Sequence, residues 1–239
     1  MPPRSATSLA DASPSDSAFR AFRAFDLLEV RDQWSYEFLV RSRLYPDAIL
    51  GHDDAFLQPA RVEQHSGSTL HLSLRQDDAA RVVTKWIPQR FVESFDHHIF
   101  WACTGQDSAA YAELTKRFPY FNIAATPALL TAVPASHQDF MVAQRFHPHL
   151  MGARLGMQGM YRSGSDYYDA KHGLLADLGS SFVEGNIGEL TREQISWEGS
   201  ELAHKAAQYM AEKRELAARI MSPAQLPRPG LVRAVPTTR

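Results

Sequence analysis

The chain has a single cysteine, Cys103, and therefore cannot form an internal disulfide. That composition is typical of proteins that fold in a reducing compartment. No segment offers the about 18 consecutive apolar residues of a membrane-spanning helix, and residues 1–17 lack the apolar run of a secretory signal. From these absences we expect a cytoplasmic protein that does not act at a membrane.

An excess of charge of one sign is also missing, because 25 basic residues face 27 acidic ones and the formal net charge is only -2. Proteins that hold the phosphate backbone of a nucleic acid usually carry a strongly basic surface. We therefore expect no nucleic-acid partner. Apolar residues make up 44% of the chain, which is enough for a packed core and excludes wholesale disorder.

Recognised catalytic and phosphate-binding motifs are absent as well. Neither G-x-G-x-x-G after a strand nor G-x-x-x-x-G-K-[ST] occurs, and no H-E-x-x-H pair supplies metal ligands. We therefore assign no catalytic residue, no metal ligand and no cofactor to this chain. One alternative stays open, a stand-alone metal- or haem-dependent oxygenase in which His97 or His98 acts with a distant histidine.

What is present divides the chain into four parts. Ser, Pro and Ala dominate residues 1–16, and four prolines follow Ser222, so we predict flexible tails at 1–16 and 222–239. Between the tails we predict a unit of helices and strands over residues 17–103. A helical part is predicted over residues 104–221.

The fold class is predicted from a change in the spacing of apolar residues, from the helical period to strict alternation. Leu70, Leu72 and Leu74 alternate with polar residues, which predicts a strand buried on one face. Turn-prone residues separate this strand from Ala60–Gln64 before it and from the β-branched run Val82–Ile87 after it. The sequence thus predicts an α+β fold with a small three-stranded antiparallel sheet and flanking helices, followed by an all-helical C-terminal part.

A sheet of three strands exposes unpaired backbone groups at its edges, and such an edge can accept a peptide as an added strand. The predicted edge strand that follows Leu74 is long and rich in β-branched residues, and Lys85 is its one charged residue. We predict that it binds a peptide through Val82, Val83, Thr84, Lys85, Trp86 and Ile87.

Three helices are predicted to flank the sheet. Two of them open the fold and begin near Ser17 and Gln33, and the third covers residues 89–103. The third helix carries the stretch "VESFDHHIFWACTG", whose aromatic residues are typical anchors of a protein interface. The partner-interface residues that we assign to it are His97, His98 and Trp101.

A resemblance to one family is carried by four segments, which are "WSYEFLVRSRLYPD", "VVTKWIP", "VESFDHHIFWACTG" and "YAELTKRFPYF". Their order resembles that of the small partner subunit of methanobactin biosynthesis, over about Trp34 to His149. The resemblance implies a heterodimer with a larger iron-dependent, barrel-fold oxidase that converts precursor cysteines into oxazolone and thioamide groups. It also implies that the small sheet engages the leader peptide of the precursor, and that the iron belongs to the partner subunit.

On this resemblance we predict a non-catalytic subunit that binds a leader peptide and the oxidase during the synthesis of a copper-chelating peptide product. The oxygenase alternative differs from it in one measurable respect. An oxygenase of that kind would hold a metal or haem in this chain, whereas the partner subunit would not.

Overall fold

The computed structural model describes residues 16–58, 62–63, 66–125, 133–134, 138–185 and 200–221. The predicted tails lie outside these residues, apart from Asp16, and so does most of the predicted first strand, of which Val62–Glu63 is described. The chain divides into two compact units, residues 1–57 with 209–239 and residues 58–208.

The smaller unit contains both of the predicted opening helices, which are thereby confirmed. In chain order its elements are α1 (Asp16–Arg23), β1 (Glu29–Val30), α2 (Gln33–Arg41), β2 (Ile49–Leu50) and a 3-10 turn (Asp54–Leu57). Asp32 caps α2 by accepting a hydrogen bond from the Ser35 amide at 2.8 Å. The C-terminal helix α8 (Glu201–Met221) contributes its residues from Tyr209 onwards to this unit.

The larger unit is built on a six-stranded sheet in which every neighbouring pair of strands is parallel. The strands are β4 (Thr69–Ser73), β5 (His97–Ala102), β6 (Asn122–Ala125), β8 (Phe140–Ala143), β9 (Gln158–Tyr161) and β10 (Val183–Glu184). A separate parallel pair joins β3 (Val62–Glu63) to β7 (Val133–Pro134). Across the large sheet the order is β10-β9-β8-β4-β5-β6, which is the 3-2-1-4-5-6 order of the Rossmann fold.

Helices cover both faces of this sheet. They are α3 (Gln76–Lys85), α4 (Gln89–Val92), α5 (Asp107–Arg117), α6 (Phe146–Arg154) and α7 (Asp166–Asp177). The leucines of β4 share a core with Val83 of α3 and Leu114 of α5. On the opposite face Met141 of β8 packs closely against Gly152 of α6. In the part of the chain that the structure describes, no helix combines the length and the apolar character that a membrane crossing requires.

The predicted fold class, a three-stranded antiparallel sheet followed by an all-helical part, is wrong. The strand around Leu72 exists, but all five residues of Thr69–Ser73 are buried because β4 lies in the middle of a parallel sheet with both faces covered. The polar side chains of His71 and Ser73 can be buried because each has a hydrogen-bond partner on β5. His71 accepts a hydrogen bond from the Trp101 indole, and Ser73 donates one to the Trp101 carbonyl.

The predicted third strand is also wrong, since Val82–Lys85 belong to helix α3. Val83 of this helix and Ile87, two residues after its end, are both buried. The reason is topological, because consecutive parallel strands β4 and β5 can be joined only by a crossover, which is usually a helix. That requirement overrides the strand preference of the β-branched residues.

The predicted helix over residues 89–103 is mostly a strand. Only Gln89–Val92 are helical, and β5 occupies His97–Ala102. Its apolar residues, a short run rich in aromatics, fit a strand and a helix equally well by periodicity. Pairing with β4 on one side and β6 on the other decides between the two.

Candidate functional site at the carboxyl ends of the central strands

The order of the large sheet reverses between β4 and β8. After β4 the chain builds outwards through β5 and β6, and after β8 it builds outwards in the other direction through β9 and β10. In sheets of this kind the connections diverge at such a point and leave a crevice at the carboxyl ends of the strands, where ligands bind. The residues that follow β4 and β8 are therefore placed to contact a ligand in such a crevice.

An arginine follows each of these strands by two residues. Ser73, the last residue of β4, is in register with Ala143, the last residue of β8, so Arg75 and Arg145 occupy equivalent positions at the same edge. Both line a cleft of about 460 Å³. A volume of that size suits a small molecule. The residues that line the cleft are Arg75, Gln76, Asp77, Gln106 and Arg145.

Arg145 is held in place by the loop after β5. Its guanidinium forms an ion pair with the fully buried Asp107 carboxylate and donates to the Tyr168 hydroxyl at 3.0 Å. Asp107 in turn accepts hydrogen bonds from the backbone amides of Cys103, at 2.9 Å, and Thr104, at 3.0 Å. Burial alone would lower the pKa of Arg145, but the hydrogen bond and the charge of Asp107 outweigh burial and raise it.

Arg75 is held by different partners. Its backbone amide donates to the Gln144 side-chain oxygen at 2.8 Å, and its guanidinium lies over the Tyr168 ring, 4.4 Å from the centroid. The guanidinium also forms a two-point ion pair with Asp77, in which Nε donates to Oδ1 at 3.0 Å and Nη2 donates to Oδ2. The remaining nitrogen, Nη1, is buried and has no hydrogen-bond partner among the described residues.

The charges of both guanidiniums of the cleft therefore act on the Asp77 carboxylate. Partial burial would raise its pKa, but the hydrogen bonds and charge of Arg75, together with the charge of Arg145, lower it instead. The Asp77 carboxylate is consequently ionised at neutral pH. Its side chain is 60% exposed, so it can reach a ligand in the cleft.

The side chains of the cleft favour recognition of a small anionic group. A planar guanidinium fork matches the geometry of a phosphate or a carboxylate, and an amide can donate to either. The turn after β4, Leu74–Asp77, contains no glycine, so its backbone cannot approach a pyrophosphate as the glycine-rich turns of dinucleotide-binding folds do. Recognition at this crevice depends on side chains.

The predicted peptide-binding residues lie away from this cleft. Val82–Lys85 belong to α3, and Trp86 and Ile87 follow it. Val83 and Ile87 are core residues, Trp86 is half-buried, and Lys85 is exposed. No strand edge is present at these described positions, and peptide binding by them stays a prediction.

The three predicted interface residues all lie on β5. His97 is exposed, and the half-buried His98 places Nε2 2.8 Å from the Val92 carbonyl oxygen, with a pKa lowered by burial. Trp101 is only 1% exposed, and its indole donates to Nδ1 of His71 at 3.0 Å. The adjacent histidines point to opposite faces of the sheet and do not converge. Contact with a partner through these residues stays a prediction.

A second buried polar cluster covers the face of the sheet that packs against α6 and α7. Nδ1 of His149 lies 2.8 Å from Nδ1 of His172, and its Nε2 lies 2.8 Å from the Ser180 hydroxyl. Burial lowers the pKa of His172 to about 4 and that of His149 well below its usual value. Both rings are neutral at pH 7. Nothing in the described residues forms a group of three or more His, Cys, Asp or Glu side chains able to hold a metal ion.

Sequence reasoning missed all five residues of the cleft. The usable signal was weak, an arginine two residues after each of two segments, "LHLS" and "FMVA". It becomes informative only when both segments are known to be parallel neighbours, because parallel strands end at one edge.

No protein-family model matches this chain, and a search of curated proteins finds no match for it either. The resemblance to the small partner subunit of methanobactin biosynthesis therefore gains no support from relatives and stays a prediction. The function proposed below is inferred from the geometry of the cleft.

Proposed function

We propose that this protein binds a small molecule with a phosphate or carboxylate group in the cleft at the carboxyl ends of β4 and β8. One observation carries the proposal: Arg75 and Arg145 stand at equivalent positions on the two strands between which the sheet order reverses. The proposal concerns binding, and no reaction is assigned to the cleft.

The fixed position of both arginines supports the proposal. Asp107 and Tyr168 hold the guanidinium of Arg145, and Gln144 holds the backbone of Arg75. Side chains that are already ordered lose less conformational entropy on binding, which raises affinity. Arg75 is the more adaptable of the two, because its ion-pair partner Asp77 is exposed, whereas the Asp107 partner of Arg145 is buried.

The proposal is tested by isothermal titration with two simple anions, ethyl phosphate and propionate. We expect saturable binding of at least one of them, and we expect Arg75→Gln to weaken it by about tenfold or more, since a charge-assisted pair is lost. Arg41→Gln is the matched control, because Arg41 is 79% exposed and pairs with Glu37 on its own helix. It should bind like the native chain.

Two results would refute the proposal. The first is that neither ethyl phosphate nor propionate binds to the folded native chain, and that the same two molecules with an added amino group do not bind either. The second is that Arg75→Gln binds as tightly as the control does. Arg145 is unsuitable for this experiment, because its pairing with the buried Asp107 gives it a structural role as well.

A second proposal comes from the sequence resemblance, namely a cytoplasmic partner subunit of an iron-dependent oxidase that binds a leader peptide. Within the described residues, β6 is the outermost strand on its side of the sheet, and three of the four residues of Asn122–Ala125 are exposed. An outer strand of this kind can accept an added peptide strand. Amide exchange with a candidate leader peptide tests this role, and absence of added protection in β6 would count against it.

A further inference from the structure

The charges of the cleft discriminate among anionic ligands. Arg145 already has a buried counter-ion in Asp107, and Arg75 already has an exposed counter-ion in Asp77. A ligand that carries only negative charge would approach Arg75 and meet the Asp77 carboxylate at the same place. Like charges at short range repel, so Asp77 disfavours a simple anion.

The Asp77 carboxylate can bind a second group in addition to Arg75. An ionised carboxylate offers about four lone-pair sites. The Arg75 pair uses one on each oxygen, and the backbone amide of Asp77 also hydrogen-bonds to its own carboxylate. Because 60% of the side chain is exposed, the other sites are accessible from the cleft. An ammonium group is a donor of the right charge for them.

We propose that the ligand of this cleft is a small zwitterion, whose anionic group faces Arg75 and Arg145 and whose ammonium group faces Asp77. This inference rests on the proposed function and narrows it from anions in general to phosphorylated amines and amino acids. The Gln76 and Gln106 amides, which also line the cleft, can hydrogen-bond either end of such a molecule.

Matched ligands that differ only in the ammonium group test the inference. Ethyl phosphate is compared with O-phosphoethanolamine, and propionate with β-alanine, by isothermal titration at pH 7. We expect the native chain to bind the amino member of the preferred pair about tenfold more tightly. Ethylamine, which has no anionic group, should not bind measurably.

Variants at position 77 identify the group responsible. Asp77→Asn should lose the preference for the amino member and should bind the simple anion more tightly than the native chain does. Asp77→Glu keeps the charge and should keep the preference. Circular dichroism and urea unfolding of both variants establish that they fold.

The outcomes separate this inference from the proposed function. If the native chain binds both members of a pair equally, or if Asp77→Asn retains the preference, the zwitterion inference is refuted while anion binding stands. If ethylamine binds as tightly as O-phosphoethanolamine and β-alanine, the anionic group is irrelevant and both fail. If no member of either pair binds, the proposed function itself is refuted.

Discussion

Asp107 and Arg145 form an ion pair that ties the loop after β5 to the loop after β8, although β4 lies between those two strands. The carboxylate is fully buried and accepts two further hydrogen bonds from the backbone of its own loop. One side chain thus organises the β5–α5 loop and orients a guanidinium of the cleft. The stability of the crevice and its chemistry depend on the same contact.

Removal of this carboxylate should destabilise the protein strongly. Asp107→Ala leaves the Arg145 charge and two backbone amides without their partner, and we expect a loss of about 3 kcal/mol in the free energy of unfolding. Urea denaturation measures it. Glu113→Ala on the same helix is the control, because Glu113 pairs with the exposed Lys116 and should cost below about 0.5 kcal/mol. Equal losses in the two variants would contradict this account.

Trp101 should behave as a core residue. The indole is buried and donates to Nδ1 of His71, which must therefore be the unprotonated nitrogen of that ring. Trp101→Ala removes a large buried side chain and the hydrogen bond that Nδ1 of His71 accepts, so we expect a loss of about 4 kcal/mol in unfolding free energy. The same substitution at Trp34, which is 62% exposed, should cost below about 1 kcal/mol. A Trp101→Ala variant with native stability would show that this residue is not in the core.

Acid should destabilise the larger unit through His172. In the unfolded chain a histidine has a pKa of about 6.5, whereas burial lowers the pKa of His172 to about 4 in the folded chain. Between these values the unfolded state binds more protons, so stability falls as the pH drops from about 6.5 towards about 4, by roughly 3 kcal/mol in total.

The pH dependence is measured as unfolding free energy from urea titrations at a series of pH values between 7 and 4. His172→Gln should show a shallower decline than the native chain does. His204→Gln, which replaces an exposed histidine, should keep the native slope. If the slope is unchanged in His172→Gln, another group is responsible for the acid sensitivity.

Lys213 should stabilise the smaller unit by charge pairing. Its side chain is only 7% exposed, and its ammonium pairs with Glu29, which is 14% exposed, and with Asp54. Burial would lower the pKa of Lys213, but its hydrogen bonds to Asp54 and Glu29 raise it. Lys213→Met leaves the largely buried Glu29 carboxylate without this counter-ion, and we expect a loss of about 3 kcal/mol in the free energy of unfolding.

Lys205→Met is the control for this change, since Lys205 lies on the same helix and pairs with a Glu201 side chain that is 62% exposed. We expect it to cost below about 0.5 kcal/mol in urea denaturation. Addition of Glu29→Gln to Lys213→Met should recover part of the lost stability, because the second change removes the unpaired charge. No recovery would exclude charge pairing as the source of the effect.

Local sequence determined the elements whose signals are local. The helices at Asp16–Arg23 and Gln33–Arg41 follow from their amphipathic spacing, the second with a cap at Asp32, and the strand at Thr69–Ser73 follows from its alternation. These features depend on neighbours within one or two turns of the chain, so composition and period are enough to predict them.

Tertiary structure alone decided the parallel pairing, and with it the site. Whether Val82–Ile87 forms a strand depends on the direction of β5 relative to β4, and whether His71 can be buried depends on Trp101, thirty residues later. Arg75 and Arg145 line the same cleft because Ser73 and Ala143, seventy residues apart in the chain, are in register on neighbouring strands. Contacts of that separation have no local period, since they arise from burial of both sheet faces and from pairing of buried polar groups.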